Sequence, residues 1–173
     1  MSLRNDLPET IDTTRLLLRQ PRVSDLDDLV AEANNWKVLE PTAALPFPYL
    51  PEHGSAFLGK QQRTGQHPFV IADHETDRLL GVIGLYFVPG QPVEIGYWLG
   101  ERHWGQGFAA EAVAGLVTAA EASGISPIRA RVLKNNPASV RVLEKAGFGV
   151  IEETVSVGER HRGKQLLVLE RAP

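Results

Sequence analysis

Three residues in the middle of the chain have the types and spacing of a phosphate-binding turn. Gly105-Gln106-Gly107 follows a strand-like run from Val93 to Leu99 and opens a long alanine-rich segment. The first turn of a helix has backbone N–H groups without partners, and the helix dipole makes that end positive. Glycines let the backbone approach a ligand without interference from a Cβ atom. A strand, a glycine turn and a helix in this order predict a site for a phosphate or pyrophosphate group.

Three classes of phosphate ligand fit such a turn, and the flanking residues distinguish them. A P-loop requires a lysine after the last glycine of its signature, and Gln106 occupies that position. Gly105, Gly107 and Ala110 match the Gly-x-Gly-x-x-Ala form of a dinucleotide fingerprint. That fingerprint begins a βαβ unit with an acid after the next strand, whereas the next run here, Ile128 to Leu133, contains arginines and no acid. A dinucleotide therefore stays open as an alternative, and coenzyme A is the third ligand.

Several motifs resemble those of the GNAT superfamily of N-acetyltransferases. Arg102-x-x-Gly105-x-Gly107 is similar to the Arg/Gln-x-x-Gly-x-Gly/Ala signature of that superfamily. Asn136-Pro137-x-Ser139 followed by Val142-Leu143-x-Lys145-x-Gly147-Phe148 resembles its second characteristic region. The runs Thr14 to Arg19 and Glu94 to Leu99 resemble the branch of ribosomal-protein N-terminal (alanine/serine) acetyltransferases. The resemblance extends in order over most of the chain.

The resemblance implies that acetyl-CoA is a co-substrate held in a gap between two splayed strands, the fourth and fifth of the expected order. By position these are Val93 to Leu99 and Ile128 to Leu133. Asn136 and Ser139 match the positions that touch the coenzyme on the far side of the gap. The pantetheine arm is expected on the backbone of Tyr97, Trp98 and Leu99, and the pyrophosphate on Arg102, His103, Trp104, Gly105, Gln106, Gly107, Phe108 and Ala109.

Acetyl transfer to an amine needs a free amine lone pair, a donor to the thioester oxygen and a proton for the leaving sulfur. Glu94 is the candidate general base, acting through water, and it also borders the expected substrate site. The backbone N–H of Trp98 or Leu99 is the candidate donor to the oxygen. Many members of the superfamily protonate the sulfur with a tyrosine in the helix after the fifth strand. That helix has no tyrosine here, so Ser139 is the candidate acid. Neither a metal nor a covalent enzyme intermediate is implied.

Each of these residues also has a purely structural interpretation. Asn136 before a proline is an ordinary helix N-cap. Glu94 fits an exposed strand position beside a turn, and Arg102 fits a turn residue paired with a neighbouring glutamate. Trp36 and the Pro-rich segment (residues 41–51) lie where the superfamily builds its acceptor pocket, but a tryptophan also anchors loops to a core. These alternatives remain open at the level of sequence.

The elements that must position these residues follow the order βααβββαβαββ. Three strands joined by short turns, starting near Phe69, predict an antiparallel meander. The strand–helix–strand segment after it requires a crossover and therefore a parallel pair. A helix is also expected from Glu52 to Arg63. The expected fold is an α/β (α+β) single domain over residues 1–173, with a mixed, mostly antiparallel sheet of about seven strands and helices on both faces.

Composition narrows the functional classes. The 173 residues include no cysteine, which excludes disulfides, thiolate metal sites and a cysteine nucleophile. A net charge of −3 with a pI near 6.0 argues against a nucleic-acid-binding module. No apolar run reaches the roughly 18 residues of a membrane span, so we expect no membrane partner and a soluble, cytoplasmic protein.

The expected activity is transfer of an acetyl group to a primary amine, either a protein N-terminus or a small molecule. A homodimer is expected by analogy with the branch. The alternatives are a non-catalytic acyl-CoA-binding GNAT-fold module and, further away, a dinucleotide-binding protein.

Overall fold

The sheet of this protein has eight strands in the order β1-β2-β3-β4-β5-β6-β8-β7. The computed structural model describes residues 6–60 and 65–173. Neighbouring strands are antiparallel except for β5 and β6, which are parallel. The strands are β1 (Ile11–Asp12), β2 (Leu16–Arg19), β3 (Gln66–Asp73), β4 (Leu79–Tyr86), β5 (Val93–Leu99), β6 (Ile128–Leu133), β7 (Gly149–Val155) and β8 (Gln165–Arg171).

Helices cover both faces of this sheet. Helices α4 and α5 pack on one face of the sheet, here called the α4 face. Helices α1 and α3 pack on the opposite face, here called the α1 face. One-turn 3-10 helices precede α1 and follow β5. The helices are α1 (Leu26–Ala33), α2 (Trp36–Leu39), α3 (Pro51–Leu58), α4 (Phe108–Ala122) and α5 (Pro137–Lys145).

The alternation of β5 determines which of its side chains lies on which face. Ile95 and Leu99 are buried in the core beneath α4, and Tyr97 packs against the same core. Trp98 packs against the second core, beneath α1 and α3. Because successive strand residues point to opposite faces, Glu94 lies on the α1 face with Trp98.

The ends of α4 and α5 follow from residues with known capping roles. Gly107 precedes α4 with a φ of +82°, a left-handed conformation that favours glycine. Asn136 caps α5 by accepting a hydrogen bond from the Ser139 N–H at 3.3 Å, and Pro137 occupies the first helical position. Gly147 follows α5 with a φ of +86°. The local sequence thus places both helix starts at the same end of the sheet.

A gap opens between β5 and β6. Their parallel pairing is limited to Val93 with Ile128 and Glu94 with Arg129, and the strands then diverge toward their carboxyl ends. Tyr97 and Leu99 lie on the divergent part of β5. The expected splay between the meander and the crossover strand is therefore present, and it is open at the end where α4 and α5 begin.

The expected fold class is confirmed, with two differences in detail. The sheet has eight strands instead of about seven, because the two-residue β1 pairs with β2 through Ile11 and Leu18. In the described residues between β2 and β3 there are three α-helices instead of two, and the additional one is the four-residue α2, which Asn35 caps. The predicted helix from Glu52 to Arg63 corresponds to α3, which ends at Leu58, and its last predicted residues lie outside the described part of the chain. In the described ranges, no helix is long and apolar enough to cross a membrane.

Candidate active site

The inner edge of β5 presents backbone groups to the gap. Gly100 N–H donates to Leu80 O across the β4–β5 ladder at 2.9 Å. Because hydrogen-bonding direction alternates along an antiparallel strand, the backbone groups of Trp98 turn toward β4, and those of Tyr97 and Leu99 turn toward the gap. Leu99 O accepts the indole N–H of Trp104 at 2.9 Å. The Leu99 N–H is therefore better placed than that of Trp98 to donate to a group in the gap.

The glycine loop (residues 100–107) connects β5 to α4 at the open end of the gap. Gly105 has a φ of +73°, and a Cβ atom built on it would meet nothing within 4 Å. The Gln106 side chain donates a hydrogen bond to Arg102 O at 3.1 Å. Phe108 and Ala109 form the first turn of α4, whose free N–H groups lie next to these glycines. The loop leaves room for a phosphate against a helix N-terminus, which fits the diphosphate of a nucleotide coenzyme.

Arg15 and Glu111 hold the glycine loop from the α4 side. The Arg15 guanidinium donates to Gln106 O at 2.9 Å and to a Glu111 carboxylate oxygen at 2.8 Å. Thr13 Oγ1 also donates to Glu111, at 2.5 Å. Burial alone raises the pKa of the Glu111 carboxyl, but the hydrogen bonds from Thr13 and Arg15 outweigh burial, and that pKa lies below its usual value. The carboxylate is charged at neutral pH and fixes Arg15 on the loop.

Glu32 holds the other side of the same loop from α1. It is only 5% exposed, and its carboxylate accepts from the Arg102 guanidinium and lies 3.2 Å from His103 Nε2. Glu101, the residue before Arg102, accepts a hydrogen bond from the Asn35 side-chain amide at 3.1 Å. The side chains of Arg102 and His103 thus point to a protein carboxylate. Their predicted contacts with the coenzyme stay predictions and involve the backbone of the loop more readily than its side chains.

At the end where β5 and β6 are still paired, the Glu94 side chain reaches from β5 to β6 on the α1 face. Its carboxylate accepts from Arg131 Nε at 2.8 Å, and the Glu94 side chain is about one-third exposed, at 32%. The neighbouring ion pair on that face joins Arg129 to Glu170 at 2.7 Å. The Glu94 carboxylate is partly accessible to solvent, and it forms an ion pair with Arg131. The role of Glu94 as the general base stays a prediction.

Tyr97 and Ser139 meet across the gap on the α4 face. The two hydroxyl oxygens are 2.6 Å apart. Burial raises the pKa of the Tyr97 phenol, and the hydrogen bond with Ser139 acts in the opposite direction. The phenol is therefore protonated at neutral pH and able to donate a proton. Sequence reasoning assigned Tyr97 only a backbone contact and gave Ser139 the acid role without a partner.

The remaining predicted residues lie around the opening. Asn136 uses its side-chain oxygen to cap α5, which is the structural interpretation considered above, and its coenzyme contact stays a prediction. Trp104 is half exposed beside the glycine loop. Trp36 lies at the start of α2 on the α1 face, with its ring centroid 5.3 Å from that of Phe47. Across residues 6–60 and 65–173, no group of three or more histidine or acidic side chains is arranged to hold a metal ion.

Comparison with known proteins places this geometry in a family. A family model described as an acetyltransferase (GNAT) domain matches residues 15–149. The chain belongs to the GNAT acetyltransferase family. The chain is 32% identical over 146 residues to an uncharacterized N-acetyltransferase, p20, of Bacillus licheniformis, and the match covers 81% of this chain and 82% of that protein. This GNAT protein is accordingly an N-acetyltransferase.

Solved structures support the fold assignment. The spermidine N-acetyltransferase of Vibrio cholerae, in complex with CoA and spermine, superposes with a TM-score of 0.78 at 19% identity, covering 92% of this chain and 96% of that one. A putative ribosomal-protein-serine acetyltransferase from the same organism gives 0.79 at 19% identity, covering 95% and 97%. At such identities the likeness concerns the fold alone. Membership of the GNAT superfamily is confirmed, while the ribosomal-protein branch stays a prediction.

Two features of the site were missed from sequence, for different reasons. The Tyr97–Ser139 contact had a signal, because Tyr97 shares its face with Ile95 and Leu99, and α5 packs on that face. The sequence has no signal for the burial of Glu32, because an acid in an amphipathic helix is ordinarily solvated. Its burial depends on how α1 packs against the glycine loop.

Proposed function

We propose that this chain transfers the acetyl group of acetyl-CoA directly to a primary amine bound on the α1 face of the gap. The observation that carries the proposal is the arrangement of β5. Glu94 on one face and Tyr97 on the other flank the same gap, and the backbone of Leu99 lies between them. A base and an acid on opposite sides of one opening suit an attack from one side and departure to the other.

Acetyl-CoA fits the residues present and supplies, when bound, a thioester carbonyl open to attack by an amine. The N–H groups at the start of α4 and the open space above Gly105 would hold its pyrophosphate. The Leu99 N–H would donate to the thioester oxygen, where negative charge develops. Arg15 and Glu32 would keep the loop in place without touching the coenzyme.

Protons move in opposite directions on the two faces. Glu94 accepts a proton from the acceptor ammonium through a water molecule, which frees the amine lone pair. Tyr97 donates its phenolic proton to the leaving sulfur, and Ser139 stabilises the phenol oxygen through the 2.6 Å contact. As the C–S bond breaks, the attacking nitrogen loses its second proton to water. Solvent then restores the proton of Tyr97 and takes up the proton held by Glu94. The carboxylate–arginine pair of Glu94 and Arg131 remains hydrogen-bonded at the floor of the gap.

The acceptor is a primary amine of a small molecule or a protein N-terminus. Family relatives with solved structures include a spermidine N-acetyltransferase and a putative ribosomal-protein-serine acetyltransferase, so both kinds of amine belong in a test. A homodimer remains a prediction from the resemblance.

Thermal unfolding with acetyl-CoA, CoA, NADH and ATP is the first test. A ligand at about 100 times its dissociation constant stabilises the fold by roughly 2.7 kcal/mol, which raises the melting temperature by roughly 5–10 °C in a chain of this size. We expect this shift with acetyl-CoA and CoA only. Absence of a shift with both would refute the proposed cofactor, and a shift with NADH alone would favour the dinucleotide alternative.

Turnover is measured as release of CoA thiol with spermidine and with peptides that begin with alanine or serine. Glu94→Gln is expected to lower the rate mainly at low pH, where more of the acceptor is protonated and needs a base, with acetyl-CoA affinity retained. Glu170→Gln is the matched control, since Glu170 forms the neighbouring ion pair on the same face. Equal pH profiles for the two variants would remove Glu94 from the mechanism.

A further inference from the structure

The loop between β7 and β8 (residues 156–164), called the strap, spans the open end of the gap. β8 is antiparallel to β6, and Leu166 pairs with Leu133 at the carboxyl end of β6. The strap therefore leaves the sheet at the end where β5 and β6 have diverged. It belongs to the half of the sheet beyond the gap, yet its hydrogen bonds reach the other half.

Arg160 makes the main connection across this opening. Its guanidinium donates to three backbone carbonyls, those of Leu39 at 3.0 Å, Thr42 at 2.9 Å and Leu45 at 2.5 Å. It also lies 5.6 Å from the centre of the Trp36 ring. Leu39 is the last residue of α2, so the cation also meets the negative end of that helix. One side chain thereby fixes the chain direction over seven residues.

Two more strap residues reach the same region. His161 is buried, with its Nε2 atom 2.6 Å from Glu40 O. Lys164 pairs with the Glu40 carboxylate at 3.0 Å. Three of the nine strap residues thus bind the end of α2 and the Pro-rich segment through hydrogen bonds or an ion pair.

The segment that the strap holds forms a wall on the α1 face. Trp36 and Phe47 are 47% and 49% exposed there, although both are large apolar residues. Beside them lies a depression of about 420 Å³, lined by Ala43, Ala44, Leu45, Pro46, Glu159 and Arg160. Exposed aromatic rings beside a depression are typical of surfaces that contact a ligand.

We propose that Arg160 is a positioning residue for the amine acceptor. It fixes the Trp36 ring and the Pro-rich segment as the outer wall of the path to Glu94, an inference that rests on the proposed function. The direction of attack supports it. The leaving sulfur faces Tyr97 on the α4 face, so the acceptor enters from the α1 face, which the strap and the Pro-rich segment cover.

The geometry of the interaction makes arginine necessary. A guanidinium has five N–H donors in a fixed planar fork, whereas a lysine ammonium is a single point on a flexible stem. Three carbonyls spread over residues 39–45 cannot all be reached by one ammonium in the same arrangement. Arg160→Lys should therefore behave like Arg160→Ala and fail to restore acceptor binding.

The experiment compares Arg160→Ala and Arg160→Lys with Arg162→Ala. Arg162 is an exposed arginine of the same strap, and no hydrogen bond or ion pair to it is found in the described residues. Each variant is tested for acetyl-CoA affinity by calorimetry and for steady-state kinetics with the amine that the wild-type chain uses best among spermidine and the two peptides. Hydrogen exchange of the backbone amides in residues 36–47 is measured in parallel.

We expect both Arg160 variants to raise the acceptor KM at least about tenfold, because a displaced wall removes contacts that hold the acceptor equally in the ground state and in the transition state. Acetyl-CoA affinity and kcat at saturating amine should stay within about twofold of the Arg162→Ala values, and exchange in residues 36–47 should be faster only in the Arg160 variants. An acceptor KM equal to that of Arg162→Ala, or full rescue by lysine, would overturn the inference. If acetyl-CoA binds but no amine reacts, the proposed function fails. Unchanged hydrogen exchange of residues 36–47 in the Arg160 variants would separately refute the claim that Arg160 fixes the Pro-rich segment.

Discussion

Tyr97 and Glu94 are three residues apart on β5, and their side chains lie on opposite faces of the sheet. The period-two geometry of a strand alone accounts for this separation. Each side chain is tied to the far side of the gap, Glu94 to Arg131 on β6 and Tyr97 to Ser139 on α5. At the residue scale, the site therefore consists of two side-chain bridges over a gap between backbones. A ligand in the gap would lie between the carboxylate–guanidinium pair of Glu94 and Arg131 and the hydroxyl pair of Tyr97 and Ser139.

Replacing Tyr97 by phenylalanine tests the hydroxyl pair. Removal of the phenol leaves the leaving sulfur without a proton donor, so we expect kcat to fall about tenfold. This is below the usual hundredfold or more for lost proton transfer, because a thiolate with a pKa near 8.5 departs without full protonation. Acetyl-CoA affinity should change little. CoA release at saturating substrates measures the first quantity, and calorimetry measures the second.

Tyr49→Phe is the control for this substitution. Tyr49 belongs to the Pro-rich segment, but its side chain is buried beneath α1 and α3 and does not line the depression, and burial raises its pKa as it does for Tyr97. A decrease of similar size in both variants would indicate general destabilisation and contradict the proposed acid. Ser139→Ala in the Tyr97→Phe background should lose little more, because residues that act as a unit are not additive.

At the scale of elements, the parts that sequence predicted are those whose ends carry their own signals. Gly107 and the Asn136-Pro137 pair define the starts of α4 and α5, and the glycine loop between β5 and α4 was recognised from them. The short elements were not predicted, because β1 and α2 have two and four residues. Elements of that size depend on tertiary pairing, here with β2 and with the strap, and this information is spread over distant parts of the chain.

The glycine loop also provides a prediction with a closely matched control. Gly105 and Gly90 have φ values of +73° and +76°, and a Cβ on either one meets nothing within 4 Å. Glutamate at either position should therefore cost a similar roughly 1–2 kcal/mol of backbone strain. Only Gly105→Glu brings a negative charge to the start of α4, where a like charge near a phosphate costs roughly 1–4 kcal/mol.

We expect Gly105→Glu to weaken CoA binding at least about tenfold and Gly90→Glu to leave it unchanged. Calorimetric titration with CoA gives the affinities, and thermal unfolding verifies that the two variants lose similar stability. Equal affinities would show that the loop does not bind the coenzyme, whatever the activity of the protein.

At the scale of the whole molecule, little backbone pairing joins the two halves of the sheet. Side chains from distant parts of the chain support the glycine loop. Backbone pairing between β5 and β6 is limited to two residue pairs. Other connections include the packing of α4 on α5, the ion pair of Glu121 in α4 with Arg171 in β8, the side-chain bridges over the gap and the strap. A coenzyme held between the halves would add contacts where the sheet has fewest, so its binding should stabilise the complete fold. The glycine loop depends likewise on Arg15, which precedes β2, and on Glu111 in α4.

Glu111 links these distant parts and makes global stability depend on pH. Burial raises the pKa of the Glu111 carboxyl, but the hydrogen bonds from Thr13 and Arg15 lower it by more. The pKa in the folded state therefore lies below that in the unfolded state. A carboxyl with a lowered folded pKa stabilises the fold at every pH above its unfolded value of about 4.3. That contribution is lost as the pH falls from there through the folded value. Glu111→Gln keeps the shape and an acceptor oxygen but removes the charge.

We therefore expect Glu111→Gln to lower the free energy of unfolding by about 1–2 kcal/mol between pH 7 and pH 5, since the three hydrogen bonds that the carboxylate accepts from Thr13 and Arg15 lose their charge assistance. The difference in stability between variant and wild type should narrow below about pH 4.3, because the Glu111 carboxyl of the unfolded wild-type chain then takes up a proton. Urea titrations at pH 7, 5 and 3.5 measure it, with Glu144→Gln as a control on an exposed face of α5. A difference that stayed constant down to pH 3.5 would mean that Glu111 acts by packing alone, and the charge would then have no part in holding Arg15 on the loop.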